Sequence, residues 1–86
     1  MRYSFFRPIV IHFGRQRIAA FSREVSELGI GLLHNADLTL GEVEIGIPTE
    51  EGYSVRIRTN ILWCEPCGEG WFISGGTFIG IAGIGA

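Results

Sequence analysis

Glu24, Ser26 and Gly29 by themselves read as an ordinary polar turn, though their residue types could also hold a ligand. In an extended backbone, residues two apart project from one face, so Glu24 offers an acceptor beside the Ser26 hydroxyl while Val25 points into a core. Gly29 allows a positive φ, or lets a ligand approach the backbone closely. Arg23 has the opposite parity in an ideal strand and takes a supporting place. Arg2 and Arg7 add guanidinium forks near the amino terminus, able to grip a phosphate bidentately, bond a guanine edge or stack on a purine. Cys64-x-x-Cys67 has the spacing of half a zinc site. His12 and His34 could complete four ligands, but their spacing fits no common zinc module. No helical segment follows Cys67 to lower a thiol pKa. The cysteine pair is read as shaping a hairpin loop, with Trp63 and Trp71 stacked across its base.

Eighty-six residues with 47% apolar and 19% charged side chains make one domain. Chains this short leave little stability for a deep catalytic cavity, and no nucleophile, base and orienter set is evident, nor a phosphate loop leading into a helix. Binding, rather than catalysis, is expected. Net charge is −2, with seven basic residues, all arginine, against nine acids, which argues against a polyanion binder. Small barrels also bind single-stranded nucleic acid, but the acidic balance weighs against that class here. The amino terminus has no signal-peptide layout and no apolar run reaches the ~20 residues of a membrane helix, so a cytoplasmic chain is expected.

Thirteen glycines between short apolar runs, without sustained helical periodicity, predict an all-β chain. Alternation places strands over 9–13, 17–25, 30–33, 42–47, 53–63 and 71–81. In 53–63 Tyr53, Val55, Ile57, Thr59, Ile61 and Trp63 share the inner face. In 17–25 the parity changes, which predicts a bulge near Phe21. Gly75-Gly76 marks a bend in the last strand. Arg56 and Arg58 are expected to meet Glu42 and Glu44 across strands. Six short strands suit a small antiparallel barrel over 9–81, preceded by an arm (1–8) and followed by a flexible apolar tail (82–86).

Glu24-Val25-Ser26-Glu27-Leu28-Gly29, after an antiparallel pair and before Ile30-Gly31-Leu32-Leu33, resembles the signature of the PilZ domain family: Asp or Asn, any residue, Ser, two of any, Gly. Leu38-Thr39-Leu40-Gly41 is similar to the family's loop before a long hairpin, and Ile61-Leu62-Trp63 to the end of that hairpin's second arm. The resemblance spans roughly residues 2–81. It implies a six-stranded PilZ-like barrel that binds the bacterial second messenger cyclic di-GMP, with Arg2, Arg7, Glu24, Ser26 and Gly29 as the ligand-binding set, to which the reading of the residues adds Arg23 in a supporting place. No cofactor is expected, nor, from the cysteine and histidine spacing, a metal; a protein partner switched by the ligand is expected with the binding. The chain departs from the family in two places. Glu24 stands where the family has Asp or Asn, and Arg2 and Arg7 are separated by four residues rather than three. These departures motivate a rival expectation, a PilZ-like interaction module without nucleotide binding.

Overall fold

A computed structural model describes the backbone of residues 3–85 and the side chains of 6–84. The chain is all-β. Six antiparallel strands run in sequence as β1 (Tyr3–Phe13), β2 (Gln16–Val25), β3 (Gly29–His34), β4 (Gly41–Pro48), β5 (Ser54–Gly68) and β6 (Trp71–Gly85). They close in the order β1-β2-β3-β6-β5-β4, with β1 pairing β4 through Val10, Ile11 and His12. Closure removes most of the exposed sheet edge that an open sheet of this size would carry. No helix is long and apolar enough to cross a membrane among the described residues.

Every-other-residue burial builds the core. Ile9 and Ile11 of β1, Ala20 of β2, Ile30 and Leu32 of β3, Val43 and Ile45 of β4 and Ile61 of β5 are buried, and Leu38 folds in from the β3–β4 loop. Each of the isoleucine, leucine and valine side chains contributes roughly 1.5–3 kcal/mol on leaving water.

The strands are longer than alternation alone suggests. Residues 3–8, expected as an arm, form the first half of β1, with Tyr3 opposite Val25, Ser4 opposite Glu24 and Arg7 opposite Ser22. Residues 82–85, expected as a tail, continue β6, with Gly83 opposite Arg56 and Ile84 opposite Val55. Glycine and proline lowered the strand signal at these ends, yet pairing needs only free backbone groups on one side.

The cysteines lie on the β5 arm and not in a loop; the turn is made by Glu69 and Gly70, both at positive φ (56° and 81°). Cys64 faces the core, and Cys67 is an exposed bulge residue between Pro66 and Gly68. Both are free thiols. Trp63 and Trp71 do not stack: Trp71 stands opposite Gly68, five residues along β5 from Trp63 and therefore about 16 Å away.

Candidate functional site

Two bulges decide which side chains reach the outer face of the barrel beside the β2–β3 turn. On β2, Ser22 pairs with Leu32 and Glu24 with Gly31, so Arg23 is the extra residue. The parity change expected at Phe21 therefore falls two residues later. Ala20 and Ser22 point inward, and Val25 returns to the core after the bulge. On β5, Ile61 pairs with Gly76 and Trp63 with Gly75, leaving Leu62 unmatched. This second bulge turns Trp63 outward, against the expected inner face, and leaves it 39% exposed while Ile61 stays buried. Bulges re-aim side chains in this way at functional rims as well as at plain irregularities.

The result is one lateral row across five strands: Ser4, Glu24, Gly31, Gly75 and Trp63 are successive register partners on β1, β2, β3, β6 and β5. The two glycines form a floor without side chains. Glu24 lies over one of them, its Cγ 3.1 Å from where a Cβ on Gly31 would stand, with the Arg23 Nη1 3.7 Å from the same point. Arg23 is thus brought to the same glycine as Glu24, which an unbulged strand would forbid. The Trp63 indole covers the other, with Nε1, Cε2 and Cζ2 at 2.5–2.7 Å from the missing Cβ of Gly75. An aromatic ring laid over a strand glycine is itself a way to fill the gap in a sheet. Its outward face remains open. The shallow groove around this row has a volume of about 250 Å³ and is also lined by Ser26 and Thr77.

Ser26 closes the turn. Its backbone N–H donates to the Gly29 carbonyl at 2.9 Å, and its hydroxyl oxygen accepts the Leu28 N–H at 3.3 Å. The hydroxyl keeps its own proton and a second lone pair for another partner. The Leu28 carbonyl accepts the Phe78 N–H at 2.8 Å, which docks the turn on β6. Gly29 does not use a positive φ. Its reason is steric: a Cβ there would run into the Gly76 carbonyl oxygen across the β3–β6 pair. Arg7, on β1 opposite the buried Ser22, is exposed beside this corner. Arg2 lies outside the described residues.

The other arginines are partly committed. Arg58 grips Glu42 bidentately at 2.8 and 2.9 Å, and Arg56 meets Glu44 at 3.5 Å, as expected from the cross-strand charges. The Arg58 hydrogen bond holds the Glu42 carboxyl below its usual range and raises the guanidinium in turn. No three His, Cys, Asp or Glu side chains converge on a metal position among the described residues. His34 is wholly buried, 2.7 Å from the Ser74 hydroxyl and 2.6 Å from the Ala36 carbonyl, stacked on Phe72. Burial pushes the Cys64 thiol up, and it faces Asp37 at 3.8 Å.

Of the residues singled out in the sequence, Arg7, Arg23, Glu24, Ser26 and Gly29 are thus gathered on or beside the β1–β2–β3 corner. Gly31, Gly75 and Trp63 were named in the sequence only for the fold, Gly75 as a bend and Trp63 as an inner-face residue, and not as ligand-binding residues. Gly31 two residues after Gly29 is the signal that existed, but the outward turn of Trp63 depends on a bulge that alternation does not reveal. A larger cavity, of about 460 Å³, lies elsewhere, over β1, β2, β4, β5 and β6. In comparison with known proteins, no family model matches the chain and no curated protein matches it in sequence.

Proposed function

We propose that this chain is a PilZ-like signalling domain that binds cyclic di-GMP on the outer face between Glu24 and Trp63, and so changes the surface it offers to a protein partner. The observation that carries this reading is the register of β1 on β2, which sets Ser4 beside Glu24 and Arg7 beside Ser22. The arginine-bearing segment and the polar corner are therefore neighbours. A glycine floor lets a planar base lie close to the backbone, Trp63 offers it a stacking face, and the Glu24 carboxylate is an acceptor for guanine N–H donors. Arg23 supplies a fork for phosphate beside Glu24, and the exposed Arg7, on the same face as its partner Ser22, would have to reach the phosphate from the end of the barrel. Because residues 3–8 already belong to β1, binding alters charge and shape at this face instead of ordering a free arm. The ligand being an intracellular messenger, a cytoplasmic location belongs to the same proposal.

Titration calorimetry with cyclic di-GMP is the direct test. Saturable heat, weakened roughly tenfold or more in Arg7→Ala combined with Ser26→Ala, is expected. Silence at ligand concentrations of several hundred micromolar rejects nucleotide binding, and heat unchanged by the double substitution rejects the site.

One observation favours the rival, an interaction module without nucleotide binding. Beyond Phe78, β6 has no strand on the side away from β5 among the described residues, and Ile79, Ile81 and Ile84 are 48, 72 and 70% exposed. From 71 to 86 the chain carries neither charge nor proline, the usual guards of a strand edge. Such an edge suits an extended strand of a partner protein. Partner capture that is lost in Ile81→Lys and indifferent to cyclic di-GMP would support this rival.

A further inference from the structure

A second polar depression sits on the barrel wall away from the Glu24 face. On β1, Val10 and His12 project outward, alternating with the inward Ile9 and Ile11, and their register partners on β4 are Gly46 and Glu44. His12 also stands opposite Arg17 of β2. Gly46 in turn stands opposite Arg56 of β5, and Arg56 opposite Gly83 of β6. Two glycines in one row leave a hollow flanked by the long side chains of the next, and the His12 Nε2 comes within 3.2 Å of where a Cβ on Gly46 would stand. The cavity measures about 460 Å³, within the ~300–1,000 Å³ of small-molecule sites and larger than the groove beside Glu24.

Its charge runs against that of the chain. In a protein of net charge −2, Arg17, Arg56 and His12 face one carboxylate, Glu44, among the described residues that line this cavity, while Glu42 in the adjoining groove is held by Arg58. That carboxylate holds Arg56 at 3.5 Å with both side chains substantially exposed, a contact that a better anion can replace. Val10, Pro48 and Ile84 give the same cavity an apolar side. Two guanidiniums and an imidazole are more donors than a carboxylate can use, whereas a phosphate has three terminal oxygens to satisfy them.

We propose that this cavity binds a small organic phosphate, with the phosphoryl group between Arg17 and Arg56 and the organic part against Val10 and Ile84. In the unliganded chain His12 is held below its ordinary value first by burial and then by the fields of Arg56 and Arg17, with Glu44 opposing. A bound anion offsets those arginine fields, so the His12 titration moves upward on binding.

The test is NMR observation of the His12 imidazole and the backbone amides while inorganic phosphate and phenyl phosphate are added to about 10 mM. Shifts centred on His12, Arg17 and Gly46, tighter binding of phenyl phosphate than of phosphate, and a raised His12 midpoint are expected. Arg17→Gln, an exposed substitution, should weaken binding roughly tenfold, whereas Glu44→Gln should strengthen it by removing the competing carboxylate. Shifts confined to the Glu24 and Trp63 face, or binding indifferent to Arg17→Gln, would overturn the proposal. Equal binding of the two probes would overturn its organic part.

Discussion

Glu24 on β2 lies directly opposite Gly31 on β3 and folds its side chain over that glycine, its Cγ 3.1 Å from the position a Cβ would take. One strand further, Gly31 faces Gly75, which is covered by Trp63. The carboxylate and the indole therefore flank a floor made only of backbone. Small changes at the floor should move them in predictable ways.

Glycines that look alike in the sequence should respond differently to alanine. At Gly31 the new methyl meets the Cγ methylene of Glu24 at 3.1 Å, a side-chain atom that has to give by a few tenths of an ångström, and the cost is expected to stay below about 1 kcal/mol, partly offset by a less flexible unfolded chain. At Gly29 it meets the backbone oxygen of Gly76, which can move only with β6, and the cost should reach roughly 1–3 kcal/mol or more. Urea midpoints of the two variants give the comparison. Equal losses would contradict this account of Gly29.

Trp63 should report on both floor and ligand. In a Trp71→Phe background, Gly75→Ala must displace indole atoms that now lie 2.5–2.7 Å from the added carbon, so the emission should shift toward that of a solvated indole. If cyclic di-GMP stacks there, the same background should show saturable quenching that Gly75→Ala weakens. Quenching unaltered by that substitution would place the nucleotide elsewhere.

The buried Ser22 hydroxyl has no hydrogen-bond partner in the structure. An unsatisfied buried polar group opposes folding, so Ser22→Ala should leave stability unchanged or raise it by up to about 1 kcal/mol. Thermal melts would show this; a clear loss of stability would mean that the hydroxyl is satisfied in solution.

His34 gives the barrel a pH dependence of defined sign. Its Nδ1 lies 2.6 Å from a carbonyl oxygen and donates to it; in the neutral ring, which burial favours, Nε2 then accepts from the Ser74 hydroxyl at 2.7 Å. Burial lowers its pKa below the ordinary 6.5. On acidification the unfolded chain takes up the proton first. The stability from the neutral ring is complete above about 6.5 and is lost as pH falls from there through the folded-state value. His12, also lowered, adds to the same slope. Stability measured between pH 8 and 5 should fall toward acid, and His34→Gln should flatten but not abolish the trend. A slope of opposite sign would exclude a neutral His34.

The amino-acid sequence by itself determined the class of fold. Alternation at Val43, Ile45 and Ile47, and again at Thr59 and Ile61, marks an inner face, and turn residues at regular spacing allow six short strands. The same parity rule set Glu42 and Glu44 on the side of Arg56 and Arg58, where the ion pairs are found. These features depend on neighbours along one strand or across one hairpin, which is what periodicity encodes. Tertiary structure alone decided where that parity breaks. The extra residues Arg23 and Leu62 each shift a strand by one position relative to its partner, and only the partner's register reveals it. Those shifts turn Trp63 outward, bring Arg23 and Glu24 to one glycine and align Gly31 with Gly75. The change of parity along 17–25 announced the first bulge to within two residues, but its exact residue and the whole of the second are relations between paired strands, which neither strand alone contains.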